Sequence, residues 1–287
     1  MKYGTYGSKQ RYFCKDCNHK FTEPSLIKKA RYSPEVITVT LDLYFKGISL
    51  RKISDHLKQF YGLGVSFQTV WKWLDKYVGV MDDYVKTLTP QLSGQWHVDE
   101  MAIKVKGGEP RKDKGQWKWL WNVLDNETRF QLASEISKTK NEVNSMRAFL
   151  KAQEIAKVIP REIVTDKAGQ APRGIGRAFI HTPASKRPTH TMIVSGAGYP
   201  NGNQWAERLN NTVRERTKIQ RGWKADNTPI RDGQRLYYNF IRENQGLDGR
   251  TPAEMAGLYQ ASEKNRWMAL MKKALATQDE TPENNTL

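Results

Sequence analysis

Residues 33–80 repeat their apolar positions at helical spacing. Ser33 before Pro34 is a start signal, and Gly47 stops the first helix. Ser49 opens a second helix with Ile53, Leu57 and Phe60 along one stripe, which Gly62 and Gly64 break. Ser66 caps a third, where Val70, Leu74, Tyr77 and Val78 recur. Three short helices with a tight turn before the last describe a helix-turn-helix. Gln68, Thr69 and Lys72 then face a DNA major groove, and the plainer alternative is a three-helix packing module.

From residue 92 the period changes. "WHVDEMAIKV" reads as a strand, and Gly107 and Gly108 begin a polar loop that reaches Gly115. "WKWLWNVLD" and "RFQLASEIS" are further strands joined by the turn "DNET", which makes an antiparallel meander. "KNEVNSMRAFLKAQEIAKV" is helical, with Val143, Met146, Phe149, Leu150 and Ile155 on its face, and "EIVTD" is a short apolar strand ending in an acid. The stretch 167–200 is rich in Gly and Pro and reads as loop, with "THTMIVS" as a short strand inside it. "NGNQWAERLNNTVRERTKIQRGW" is a basic helix, "DGQRLYYNFIREN" is another, and the last ten residues read as a disordered tail.

Charge adds a partner to this picture. The 287 residues carry 47 Lys and Arg against 30 Asp and Glu, a net +17 that points to a polyanion, first of all nucleic acid. Residues 1–90 alone hold 15 basic and 8 acidic residues, which favours the DNA-reading helices over a packing module. No run is long and apolar enough for a membrane helix, and no apolar signal core opens the chain. A soluble cytoplasmic protein, nucleoid-associated through DNA, is expected. The two cysteines, Cys14 and Cys17, lie in "KQRYFCKDCNHKF" and form one knuckle of a zinc ribbon. Without a second pair, a remnant or cut-short ribbon is expected rather than a filled Zn²⁺ site, although His19 is a possible third ligand.

Three acids are placed oddly for structure. Asp99 lies in the middle of an apolar strand, Asp166 ends the fourth strand, and Glu207 sits in the basic helix. If the fourth strand pairs beside the first, Asp99 and Asp166 become neighbours, and two like charges need a cation. Mg²⁺ or Mn²⁺, as a pair of ions, prefers such oxygen ligands and serves phosphodiester chemistry. Glu100 points to the opposite strand face and is left out. His97 shares the face of Asp99 and reads as a satisfied structural histidine, and Asp125 as a turn residue. Trp117, Trp119 and Trp121 read as core or sheet-face aromatics. Arg214, two helical turns beyond Glu207, suits a phosphate beside the ions, and Arg208 and Lys218 extend the basic helix toward DNA.

The segments "HVDE", "WLWNVLDNETRF", "IVTD", "ERLNNTVRERTKIQRG" and "YYNFIRENQGLDGRTPAEMAG" closely resemble the DDE transposases of insertion-sequence family six, bacterial and archaeal, over roughly residues 8–260. The Gly- and Pro-rich "KAGQAPRGIG" after Asp166 departs from that pattern. The resemblance implies an α/β chain in which an N-terminal helix-turn-helix, with its partial zinc-ribbon knuckle, precedes an RNase-H-like mixed-sheet catalytic domain. The expected divisions are 1–30 for the knuckle, 31–90 for the helix-turn-helix, 91–262 for the catalytic domain, and 263–287 for a C-terminal helix and tail. It further implies Asp99, Asp166 and Glu207 as catalytic, metal-binding triad. The activity implied is cleavage of element ends and joining to target DNA, by a homodimer or higher oligomer. A DNA-binding regulator with an inactive second domain, and a nuclease on the same fold, are the competing functions.

Overall fold

In the computed structural model of the chain, all three predicted serine caps are formed. The helices are α1 (Pro34–Phe45), α2 (Leu50–Tyr61) and α3 (Phe67–Thr87). The hydroxyl oxygens of Ser33, Ser49 and Ser66 accept from the amides of Val36, Lys52 and Thr69 at 3.4, 3.4 and 3.2 Å. Each satisfies one of the amides that a helix start leaves without a partner. Gly62 ends α2 with φ +64°, a left-handed conformation that glycine adopts without cost. The structure describes residues 2–6, 9–22, 31–106, 116–166, 169–193, 202–220, 222–258 and 263–280. The expected loop at 107–115 lies outside these residues, as does the end of the expected tail beyond 280.

Ile37, Leu41, Ile53, Leu57, Val70 and Leu74 form the core of the three helices. Phe60 departs from its expected place on the α2 stripe and is 73% exposed. It lies in the last turn of α2 and stacks on His56 of the same helix, with ring centroids 4.5 Å apart. Before these helices, β1 (Lys2–Tyr6), β2 (Lys9–Phe13) and β3 (Lys20–Thr22) make a small antiparallel sheet. The Cys14 amide donates to the His19 carbonyl at 2.9 Å and closes the knuckle.

The central sheet contains β4 (Gln95–Val105), β5 (Gln116–Asp125), β6 (Gln131–Ser137), β7 (Glu162–Thr165) and β8 (Thr189–Met192). Its order is β6-β5-β4-β7-β8. β5 runs antiparallel to both β4 and β6, while β7 runs parallel to β4 and β8 parallel to β7. This is the mixed sheet expected of an RNase-H-like core. Helix α4 (Glu142–Ala156), capped by Asn141, carries the chain from β6 back to β7. Asp125 is the turn residue between β5 and β6: it accepts from the amides and hydroxyls of Ser93 and Thr128 at 2.8–3.1 Å. Of the three β5 tryptophans, Trp121 is buried, Trp119 half-buried and Trp117 68% exposed, so only the first is a core residue.

The stretch read as loop after β7 contains a helix, α5 (Ala171–Ala178). Pro172 suits its first turn, and Gly174 lets it press on α4, since a Cβ there would stand 1.9 Å from Ser145 Oγ. Helix α6 (Gln204–Gln220) follows. The next predicted helix divides into α7 (Pro229–Leu236) and a π-helical turn over Tyr237–Ile241. After α8 (Pro252–Met255), α9 (Arg266–Glu280) returns to the N-terminal helices. There Trp267 stacks on Phe45 and on Tyr237, at 5.6 and 6.4 Å. Helix α3 packs on α7 and α9, and a nearly buried Asp82–Arg235 ion pair joins α3 to α7. Among the described residues no helix is long and apolar enough to cross a membrane.

Candidate active site

The register of the sheet brings two of the three acids together. β4 and β7 pair in parallel, with His97 opposite Val164 and Val98 opposite Thr165. Continuing that register by one residue sets Asp166, just past the end of β7, beside Asp99. Side chains alternate faces along a strand, so Asp99 shares its face with His97, and Glu100 points the other way.

Helix α6 lies over the face of Asp99. Asn203, Glu207, Asn210 and Arg214 follow at helical spacing and form one stripe along and just ahead of α6. Asn203 Nδ2 donates to the Val98 carbonyl at 2.8 Å, so its oxygen is left to accept from His97 Nδ1 at 3.0 Å. One turn past Glu207, Asn210 Nδ2 donates to Asp99 Oδ2 at 2.8 Å. The helix is therefore tied to β4 on either side of Glu207. Beyond its end, Gly222 (φ +83°) lies so close to β4 that a Cβ would meet the Lys104 carbonyl oxygen at 2.4 Å. The Trp223 amide donates to that same oxygen at 2.9 Å.

The other two acids bear on Asp99 through their charge. Burial, then the charge of Asp166, and more weakly that of Glu207, push the Asp99 carboxyl up to about 6. The hydrogen bond from Asn210 and the positive charge of Lys140 oppose the rise. Asp166 and Glu207 are exposed at the rim, and Asp99 is half-buried below them. Burial also lowers the His97 imidazole, against the opposing pull of the Asn203 hydrogen bond. With Nδ1 as the donor, its Nε2 is buried without a partner among the described residues.

Among the described residues no three His, Cys, Asp or Glu side chains stand close enough together to hold a metal ion. The acids share a field rather than a closed ligand set. Their chemistry nevertheless fits a hard divalent cation: the donors are carboxylate oxygens, and the crowding of negative charge that raises Asp99 is what a cation offsets.

Known proteins resemble this arrangement in sequence. Residues 93–232, which hold all three acids, match the family model of the IS240-type DDE domain. Residues 13–111 match that of the Mutator family of transposases. The chain carries a DDE transposase domain. A relative in Staphylococcus aureus, the transposase for insertion sequence-like element IS431mec, is 28% identical over 48% of this chain and 57% of that protein. An uncharacterized protein of Methanocaldococcus jannaschii is 31% identical over 44% of this chain and 53% of its own length. The chain thus spans about half the length of the curated relatives it matches. The HTLV-2 integrase catalytic core domain, solved in complex with magnesium, superposes with a TM-score of 0.40 at 17% identity, over 59% of this chain and 98% of that one.

The other expected site residues lie on α6, on α3 and in the N-terminal knuckle. Arg214 is exposed, and its Nη1 donates to Asn211 Oδ1 at 2.8 Å. Arg208 lies 4.9 Å from the ring centre of Trp205, whose other near cation is Arg129 at 3.7 Å. Lys218 is exposed in the last turn of α6. On α3, Gln68 and Lys72 are exposed, while the Thr69 hydroxyl lies 3.0 Å from that of Ser66. Cys14 and Cys17 are free thiols, and backbone hydrogen bonds from Cys17 and Asp16 lower the Cys14 thiol. Sequence reasoning missed Asn203 and Asn210. Their signal was present: amides at positions 203 and 210 keep step with Ala206, Leu209 and Val213, the buried side of α6.

Proposed function

We propose that this protein is a DNA transposase which cleaves the ends of its element and joins them to target DNA. The carrying observation is the Asp99 carboxyl, raised to about 6 by burial and by the charges of Asp166 and Glu207. Asp99, Asp166 and Glu207 would hold two Mg²⁺ or Mn²⁺ ions. When bound, such ions activate the attacking oxygen of a phosphodiester exchange and stabilise the leaving one. The protein's own part is to keep Asp99 ionised through the Asn210 hydrogen bond, to set Glu207 opposite it, and to bring DNA to the site.

Delivery falls to the basic surfaces. Residues 31–90 bind the element end, with Gln68, Thr69 and Lys72 on the exposed start of α3 reaching the major groove. Arg208, Arg214 and Lys218 follow the strand along α6, in the catalytic unit of residues 91–262. A homodimer or larger assembly holds the two ends together. The net charge of +17 supports DNA as the partner. Because α3 is fastened to α7 and α9, an end held by α3 has a set position relative to the acids.

The test is a strand-transfer assay on candidate end sequences with and without Mg²⁺. Cutting and joining that require the ion support the proposal. Cutting without joining would identify a nuclease, and binding with neither a regulator. Gln68→Ala and Thr69→Ala are expected to weaken cognate-end binding by about 1–3 kcal/mol for each base contact, far more than binding to random DNA. Equal losses on both DNAs, in a filter-binding titration, would remove these side chains from base reading.

A further inference from the structure

Three buried side-chain amides form a line that ends on Asp99. Gln131 Nε2 donates to Asn122 Oδ1 at 2.9 Å. Asn122 Nδ2 donates to Asn210 Oδ1 at 2.6 Å, and Asn210 Nδ2 donates to Asp99 Oδ2 at 2.8 Å. Gln131 is itself clamped: its main-chain amide donates to Asn239 Oδ1 at 2.8 Å, and Asn239 Nδ2 donates to its carbonyl at 2.9 Å. All four amide residues are buried, Asn122 and Asn239 completely. β4, β5, β6, α6 and the π-helical turn thus meet along one line.

The line has one direction. An ionised carboxylate only accepts, so Asn210 must present its NH₂ to Asp99. That leaves the Asn210 oxygen to accept, which turns Asn122, which in turn places Gln131. Reversing any member would set two oxygens or two NH₂ groups face to face in a buried site. Asn122 also stands among Leu120, Trp121, Val123 and Leu124, all buried, where an apolar residue would suit the fold alone.

We infer that Asn210 is a positioning residue, and that Gln131 and Asn122 are the relay that orients it. The relay sets the Asp99 carboxylate and ties it to the helix carrying Glu207, so the spacing of the two acids follows the position of α6. The inference rests on the reading of Asp99 and Glu207 as catalytic. It is independent of any titration of Asp99.

The experiment uses the full chain and two readouts: single-turnover strand transfer at saturating DNA, and half-saturation by Mg²⁺ followed as the ion-induced rise in melting temperature. Asn210→Ala is expected to slow transfer about 10- to 100-fold and weaken Mg²⁺ similarly, with the DNA Kd unchanged. Asn122→Asp keeps the shape but replaces the donor with an acceptor, which turns Asn210 around. It should cost about 10-fold although Asn122 touches no substrate. The Asn122→Ala/Asn210→Ala double variant should be no slower than Asn210→Ala alone, because both act through one bond. If Asn210→Ala fails to fold by circular dichroism, Asn122→Ser removes only the orienting amide and carries the same expectation. Wild-type rate or wild-type Mg²⁺ half-saturation in these variants overturns the inference, as do losses that multiply in the double variant. A wild-type chain that joins no DNA overturns the transposase reading instead, while the Mg²⁺ readout still decides the role of Asn210.

Discussion

Asp99 and Glu100 are neighbours in β4, yet the two faces of the strand treat the same chemistry in opposite ways. Glu100 has a side chain only 4% exposed and is ion-paired with Lys140, which also lies 5.2 Å from the ring centre of Trp119. That face neutralises its acid. Asp99 has amides as its hydrogen-bond donors, from Asn210 and the Glu100 backbone, while Asp166 and Glu207 add negative charge beside it. A fold selected for stability alone would not leave a half-buried carboxylate beside two others. The difference separates a paired acid from one crowded by two further negative charges.

The strongest way to break this comparison is to remove acids from the charged face. Asp99→Ala, Asp166→Ala and Glu207→Ala are each expected to reduce strand transfer by about a thousandfold or more, while end binding by the N-terminal helices persists. Near-normal transfer by any one of them, in a gel assay of joined products, withdraws that residue from the site. Glu100→Gln should cost far less, because its pairing with Lys140 is structural.

Next comes pH. Folding raises the Asp99 carboxyl from the ordinary carboxylate range to about 6. The folded chain therefore holds this proton more tightly than the unfolded chain does. The resulting stabilisation is fully present below the unfolded value, near 4, and is lost as pH rises to about 6. Without divalent ions, wild type should lose about 2–3 kcal/mol relative to Asp99→Asn between about pH 4 and 7. A stability difference that stays flat with pH in chemical denaturation would show that the field on Asp99 is weak. Added Mg²⁺ should reduce the loss.

On the neutralised face, Lys140→Ala leaves Glu100 buried without its cation. An expected cost of about 1–3 kcal/mol, read as a lower denaturation midpoint, follows from the unpaired charge. Lys140 also lowers Asp99 slightly, so the variant should move that carboxyl further up and couple the two faces. The smallest effect belongs to Arg214→Ala. It is expected to weaken strand transfer about 10-fold through lost phosphate contact and leave Mg²⁺ half-saturation unchanged. Unaltered transfer at moderate salt would make Arg214 a solvated surface charge paired with Asn211.

Local chemistry made much of this protein legible in its sequence. Ser33, Ser49 and Ser66 announced three helices because a hydroxyl satisfies amides only a few residues away. The change of period after residue 92 and the turn "DNET" marked β4 to β6, and three acids on two strands and a helix marked a candidate site. The helix α5 escaped because Pro and Gly read as breakers, whereas Pro172 sits in its first turn and Gly174 is required by the nearby Ser145. Phe60 escaped because periodicity assigns a face without saying whether anything covers it. What the tertiary structure alone decided is which polar groups meet. Asn210 lies 111 residues from Asp99, and Asn122 lies 88 from Asn210. A hydrogen bond depends on position in space, and those separations close only when β4 and β5 pair and α6 settles across them.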